Sequence, residues 1–236
     1  MSYKYILLDA DNTLFDFNAS QRLAFFDMLS EFGIERREEY LEAYHKINDG
    51  WWKKLERRET DREQLKLGRF VDFAAYAGIE NVDPADMDAC YRKHLGDNGI
   101  ELDGAVDFLK SIRDGHRLFI VTNGMSQTQH GRFDRSPIRK LVDGLYISEE
   151  VGADKPSARY FELVLEDIAR QFPEMTKEEC LVVGDSLTSD IKGANNAGLD
   201  CCWYDRDGKY QPGMALSAQP DYVAQSYEEI ADIIMR

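Results

Sequence analysis

No stretch of this 236-residue chain stays apolar long enough to cross a bilayer. Its first residues run directly into YKYILLD (3–9), without the basic stretch, apolar region and small-residue cleavage site of a secretory signal. These two absences give the expectation of a cytoplasmic protein with no membrane partner. Cysteine is scarce. Cys90, Cys180, Cys201 and Cys202 show no C-x-x-C spacing, which argues against a zinc ribbon or a disulfide framework and for buried, reduced thiols. His45, His94, His116 and His130 are scattered without metal-ligand spacing, so each defaults to a structural or surface role. Basic charge is the minority, with 29 Lys and Arg against 44 Asp and Glu and a net charge of −15. Such a field repels a nucleic-acid polymer. It leaves room for a small phosphorylated metabolite, because a metal ion and one lysine reverse the sign locally. There is no internal repeat and no low-complexity segment, and 43% hydrophobic against 31% charged residues is an ordinary globular balance.

What is present is an alternation. Short β-rich runs occur at 3–9, 117–122, 144–148, 180–185, 201–204 and 221–224, most of them continuously apolar as parallel strands covered on both faces require. Helical stripes lie between them: Val106, Leu109 and Ile112, then Phe161, Val164, Leu165, Ile168 and Phe172. Gly115 and Gly198 follow two of these helices, where a left-handed residue ends the turn. The expected fold is α/β, a doubly wound parallel sheet. One interval breaks the pattern. From Asp16 to about Gly99 only amphipathic helices are legible, with Tyr40, Tyr44, Ile47, Trp51 and Leu55 at helical spacing. The division expected is a core of residues 1–15 and 100–236 with an all-helical insertion at 16–99.

Open α/β sheets bind ligands at the carboxyl ends of their strands. Those ends carry Asp9-Ala10-Asp11-Asn12-Thr13, Thr122-Asn123-Gly124 and Gly184-Asp185-Ser186, with Asp190 just beyond, and Lys155-Pro156 opens a helix. Each part suits phosphoryl transfer. Asp9, at the end of an apolar strand, is placed to attack phosphorus, and Asp11 is placed to protonate the departing oxygen and then to activate water. Crowded carboxylates call for a divalent cation, for which Mg²⁺ with oxygen ligands is suited; Asp9, the Asp11 carbonyl and Asp185 are the expected ligands, with Asp190 as their support. The Thr122 hydroxyl, the Asn123 amide and Lys155 are expected to hold the phosphoryl oxygens. Each element alone is an ordinary turn or helix start; their conjunction, in order and each at a strand end, is not.

The four motifs DADNT (9–13), TNG (122–124), KP (155–156) and GDSLTSD (184–190) resemble those of the haloacid-dehalogenase-like hydrolase superfamily, and the insertion sits where that superfamily carries a helical C1 cap. The resemblance implies a Rossmann-like core, Mg²⁺, Asp9 as nucleophile, Asp11 as acid/base, Thr122 and Lys155 as phosphate anchors, Asp185 as metal ligand and Asp190 as its support. The longer strings INDGWW (47–52), TNGMSQTQ (122–129), GDSLTSDIKGANNAG (184–198) and CCWY (201–204) resemble its pyrimidine 5′-nucleotidase branch, implying a nucleoside monophosphate as substrate. In the insertion, Trp52 and Asn48 share one helix face, a plane and an amide suited to a base, while Trp51 falls on the apolar stripe. Gly50 beside them suggests close packing or a bend, and the Tyr44 hydroxyl and Arg58 are further candidates to face substrate.

Rival functions share parts of this pattern. A sugar-phosphate phosphatase or a phosphosugar mutase would carry the same four motifs under a different cap. A 2-haloacid dehalogenase needs the nucleophile but neither metal nor an acid/base at Asp11. A signalling receiver domain is about half this length and carries its phosphorylated aspartate after a later strand.

Overall fold

The computed structural model describes residues 3–236. In chain order the main elements are β1 (Tyr5–Leu8), α1 (Phe17–Glu31), α2 (Glu38–Glu56), α3 (Arg62–Ala77), α4 (Pro84–Asp97), α5 (Ala105–Arg113), β2 (Arg117–Thr122), α6 (Ser126–Arg135), β3 (Gly144–Ile147), α7 (Ser148–Val151), α8 (Ala158–Gln171), β4 (Cys180–Gly184), α9 (Lys192–Ala197), β5 (Asp200–Tyr204), β6 (Tyr222–Ala224) and α10 (Tyr227–Ile234). Among the described residues six strands form one sheet in the order β3-β2-β1-β4-β5-β6, and every pairing is parallel. The apolar runs account for this: β1 and β4 are buried along their whole length, as strands covered on both faces must be. One face packs on α5 and α10 through Leu109, Ile112, Ile230 and Ile234, the other on α8 and α9 through Phe161, Val164, Ile168 and Ala194. The order reverses between β1 and β4, and in such sheets the crevice for a ligand opens there.

Helices α1 to α4 leave the sheet at Asp16 and return at Ile100. Asp16 accepts from the Ala19 backbone at 2.9 Å and so caps α1. Asp61 and Gln64 form a capping box at α3, and Asp83 caps α4 ahead of Pro84. These helices share a core of their own around Phe25, Tyr44, Phe70, Phe73 and Tyr91. The two connecting strands run side by side, with Asp16 N donating to Ile100 O at 2.8 Å and Leu102 N to Leu14 O at 2.9 Å. Two expectations within this unit need correction. Gly50 has no atom within 4 Å of the place a Cβ would take, and α2 runs unbroken through it, so close packing does not explain that glycine. Tyr44 is fully buried in the aromatic core, stacked on Phe25 and Phe70, and its hydroxyl does not reach the cavity. Trp51 is half-buried: its ring lies where a Cβ on Gly68 would come within 2.1 Å, and its Nε1 donates to Asp72 at 2.8 Å.

Candidate active site

The carboxyl ends of β1, β2 and β4 converge on a cavity of about 430 Å³ between the sheet and the helical unit, within the size range of small-molecule sites. At its floor β1 delivers Asp9, which the ladder fixes through Asp9 N to Val183 O at 2.9 Å. The chain then turns sharply at Asn12 (φ 60), a left-handed position that asparagine tolerates.

Lys155 is buried beneath this floor. Its ammonium donates to Asp9 Oδ1 and Asp190 Oδ1, each at 2.6 Å, and to the Val121 carbonyl at 2.8 Å. Burial opposes its charge, yet the Asp190 and Asp9 carboxylates prevail and hold Lys155 protonated, above the ordinary lysine range. Asp190 also accepts from Ser186 N at 3.0 Å. It approaches β4 so closely that a Cβ on Gly184 would lie 2.3 Å from its Oδ2, so only glycine fits there. The Trp203 indole donates to the Asp185 carbonyl at 2.9 Å and pins that loop.

Asp9, Asp185 and Asp190 bring carboxylate oxygens within 4.8 Å of one another. One ammonium does not neutralise three carboxylates. Burial raises Asp9 to about 7 despite Lys155, and burial with Asp9 and Asp190 raises Asp185 well above the carboxylate range. A cluster of hard oxygen donors with surplus negative charge fits a divalent cation such as Mg²⁺. The Asp11 carboxylate stands outside this trio. It accepts from Gln129 Nε2 at 2.9 Å and lies 2.7 Å from Arg132 Nη1, an ion pair without hydrogen-bond alignment.

Thr122 is buried, and its Oγ1 accepts from Gly124 N and from Gln129 Nε2, both at 3.1 Å, which leaves its own proton to donate. The Asn123 side chain has a structural task beside the one expected of it. Its Nδ2 donates to Lys155 O at 2.8 Å and its Oδ1 accepts from Lys155 N at 2.9 Å, so the amide braces the Lys155 loop and keeps one Nδ2 hydrogen for another partner. Asn48 and Trp52 both line the cavity. Asn48 is buried with its Oδ1 accepting from Arg69 Nη1 at 3.0 Å, and Trp52 is half-buried. Arg58 is exposed and lines a neighbouring cavity beside Asp154 and Pro156.

The structure adds residues that the motifs did not single out. Gln129 and Arg132 reach the cavity from α6, and Gln21, His45, Glu56, Arg69 and Arg92 reach it from the helical unit. The His45 Nε2 is buried without a partner, and burial lowers its affinity for a proton. Arg62, at the start of α3, donates to the Asn123 carbonyl at 3.1 Å and to Ser148 and Asp154, tying the helical unit to the loops around Thr122 and Lys155. Apolar spacing cannot flag such residues, since each is a polar side chain brought to the site only by tertiary packing.

Comparison with known proteins agrees with this geometry. The profile of the haloacid dehalogenase-like hydrolase family matches residues 3–198, and the chain belongs to that family of enzymes, as its four motifs implied. It is 34% identical over 235 residues to the pyrimidine 5′-nucleotidase PynA of Streptococcus pneumoniae, covering 99% of this chain and 96% of PynA. It is 32% identical over 237 residues to the pyrimidine 5′-nucleotidase YjjG of Escherichia coli, covering both chains entirely. The magnesium-bound crystal structure of the HAD-hydrolase YfnB of Bacillus subtilis superposes with a TM-score of 0.90 at 33% identity, over 99% of each chain. An L-2-haloacid dehalogenase from Xanthobacter autotrophicus has a TM-score of 0.72 at 18% identity over 98% of each chain, a likeness of fold alone. Among the described residues no helix is long and apolar enough to cross a membrane.

Proposed function

We propose that the protein is a Mg²⁺-dependent phosphatase that works through an aspartyl-phosphate on Asp9, with pyrimidine nucleoside 5′-monophosphates as substrates. The observation that carries this reading is the floor of the cavity: a buried carboxylate at a strand end, one oxygen fixed by Lys155, beside Asp185, Asp190 and a donating Thr122. Asp9 Oδ2 attacks phosphorus as the bond to the leaving oxygen breaks, and Asp11 delivers the proton that oxygen needs. In the second step Asp11 takes a proton from water, the water oxygen bonds to phosphorus, and the bond to Asp9 breaks to release phosphate. The Thr122 hydroxyl donates to the phosphoryl oxygens through both steps, while Lys155, its three protons engaged by Asp9, Asp190 and the Val121 carbonyl, holds the attacking carboxylate in place. Asp9, the Asp11 carbonyl and Asp185, with Asp190 in support, would hold Mg²⁺, which would supply the positive charge that phosphate needs beside these carboxylates. The magnesium in the YfnB structure supports the choice of ion.

Residues 16–99 act as a cap over a core of 1–15 and 100–236, and the cap selects the leaving group. The names of PynA and YjjG point to pyrimidine nucleotides. With its oxygen engaged by Arg69, Asn48 presents its NH₂ to a pyrimidine carbonyl, and Trp52 offers a face on which the base stacks. Buried, unpaired thiols at Cys180, Cys201 and Cys202 support a cytoplasmic setting. The test is a Mg²⁺-supported screen of phosphate release across nucleotides, sugar phosphates and small phosphoesters. UMP or dTMP should give the highest kcat/KM. Preference for a sugar phosphate over every nucleotide overturns the substrate class, an isomerised phosphate product indicates a mutase, and metal-independent halide release from a 2-haloacid indicates a dehalogenase.

A further inference from the structure

Gln129 and Arg132 form a closed ring with Asp11. Arg132 Nη2 donates to Gln129 Oε1 at 2.9 Å, Gln129 Nε2 donates to Asp11 Oδ2 at 2.9 Å, and Arg132 Nη1 faces Asp11 Oδ1 at 2.7 Å. The arginine has no acceptor to offer, so it forces the Gln129 oxygen toward itself and the Gln129 NH₂ toward the site. Both hydrogens of that NH₂ then fall on cavity groups, one on Asp11 and one on Thr122 Oγ1 at 3.1 Å. There is little slack in the ring. Gln129 and Arg132 are 0% and 1% exposed, the guanidinium lies 5.2 Å from the centre of the Phe15 ring, and a Cβ on Gly99 would come within 3.0 Å of the Arg132 stem. A position needed only for packing would be filled more cheaply by an apolar side chain than by a buried guanidinium.

We infer that Gln129 and Arg132 are positioning residues that fix the Asp11 carboxyl over the phosphoryl site and aim the Thr122 hydroxyl proton at it. The inference rests on the reading of Asp11 as the acid/base. A guanidinium offers donors and no acceptor, so Arg132 acts through the place it gives Asp11.

The test compares two esters of similar shape, phenyl phosphate and p-nitrophenyl phosphate, at saturating Mg²⁺. Nitrophenolate departs without a proton and phenolate does not, so loss of a well-placed acid is felt mainly by the phenyl ester. Asp11→Asn should lower kcat/KM on phenyl phosphate by about 10²-fold or more and on p-nitrophenyl phosphate by about tenfold at most. Arg132→Met and Gln129→Met should reproduce that asymmetry, with at least a ~10-fold loss on phenyl phosphate, and Arg132→Lys should recover part of it. Arg132→Met placed on Asp11→Asn should add no further loss on phenyl phosphate, because the group it positions is already gone. Equal losses on both esters, beside an asymmetric Asp11→Asn, overturn the positioning role and leave Arg132 a packing residue. Equal losses for Asp11→Asn itself overturn the acid reading underneath. Melting curves accompany each variant, and if Arg132→Met does not fold, Gln129→Met decides.

Discussion

Two buried charge clusters line the same cavity from opposite sides, and they are unbalanced in opposite senses. On the sheet side three carboxylates, Asp9, Asp185 and Asp190, share the single ammonium of Lys155. On the helical side Asp88 alone receives two guanidiniums, Arg69 and Arg92, each at 2.6 Å. Sheet and helices thus assign different tasks to buried charge. The sheet side holds a surplus of carboxylate that protons or a bound cation must satisfy. The helical side is complete as structure, and its surplus donors hold neighbours in place: Arg69 orients Asn48 and Arg92 donates to Gln127 at 2.6 Å. A surplus of carboxylate invites a bound cation, whereas a surplus of donors holds neighbouring side chains in shape.

That contrast is broken most severely at Asp9. Asp9→Asn keeps the shape and removes the attacking charge, so kcat should fall by about 10⁴-fold or more while the melting temperature holds. Beryllofluoride should attach to Asp9 in the unaltered protein and to no other carboxylate. Comparable turnover in the variant would end the aspartyl-phosphate mechanism.

Metal removal tests the same surplus from outside. Chelation should abolish activity and Mg²⁺ restore it; full turnover in excess chelator would contradict the metal site. The Asp9 carboxyl, raised to about 7 by burial, holds its proton more tightly in the folded than in the unfolded chain. The metal-free fold therefore loses stability as pH climbs from the ordinary carboxylate range through 7, where burial must accommodate a new charge. Mg²⁺ should raise the melting temperature more at pH 8 than at pH 6, and a reversed order would remove Asp9 from the ligands.

On the helical side the expected damage is to stability. Asp88→Asn leaves two guanidiniums facing a neutral amide, and breaking a buried pair this way costs roughly 3–5 kcal/mol. The melting temperature should drop clearly, whereas turnover of p-nitrophenyl phosphate below that temperature should persist. Loss of that turnover in a still-folded variant would show that the two clusters are not separable. The smallest effect is expected at Trp52. Base stacking is worth about 1–3 kcal/mol, so Trp52→Ala should lower kcat/KM for UMP by roughly one to two orders of magnitude and leave p-nitrophenyl phosphate nearly unchanged. Equal losses on both would reassign Trp52 to packing.

The sheet and its rim were legible because parallel strands buried on both faces must be continuously apolar, and because Asp9, Asp185 and Lys155 interrupt or follow those runs where the fold opens. The family followed from the same residues. What stayed hidden was polar and buried. The helix α6 reads as a solvated segment, SQTQHGRFDR, yet Gln129 and Arg132 are buried because α4 packs directly on it: a Cβ on Gly131 would lie 3.1 Å from Gly96. Two glycines on separate helices, 35 positions apart, set that approach, and no local periodicity reports it. The loop contact of the Asn123 amide is hidden for a similar reason. Its partner is the backbone of Lys155, 32 residues away, and a side chain at a strand end carries no mark of whether it serves ligand or loop.

Gly184 has a consequence of another kind. Strand β4 passes Asp190 with no room for a single methyl group, so the residue is constrained by volume before any question of chemistry arises. Most positions in a chain drift through a neighbourhood of acceptable substitutes, and lineages wander there without penalty. At this position that neighbourhood is empty. Substitution elsewhere in the chain must proceed around this fixed point, the strand end against Asp190.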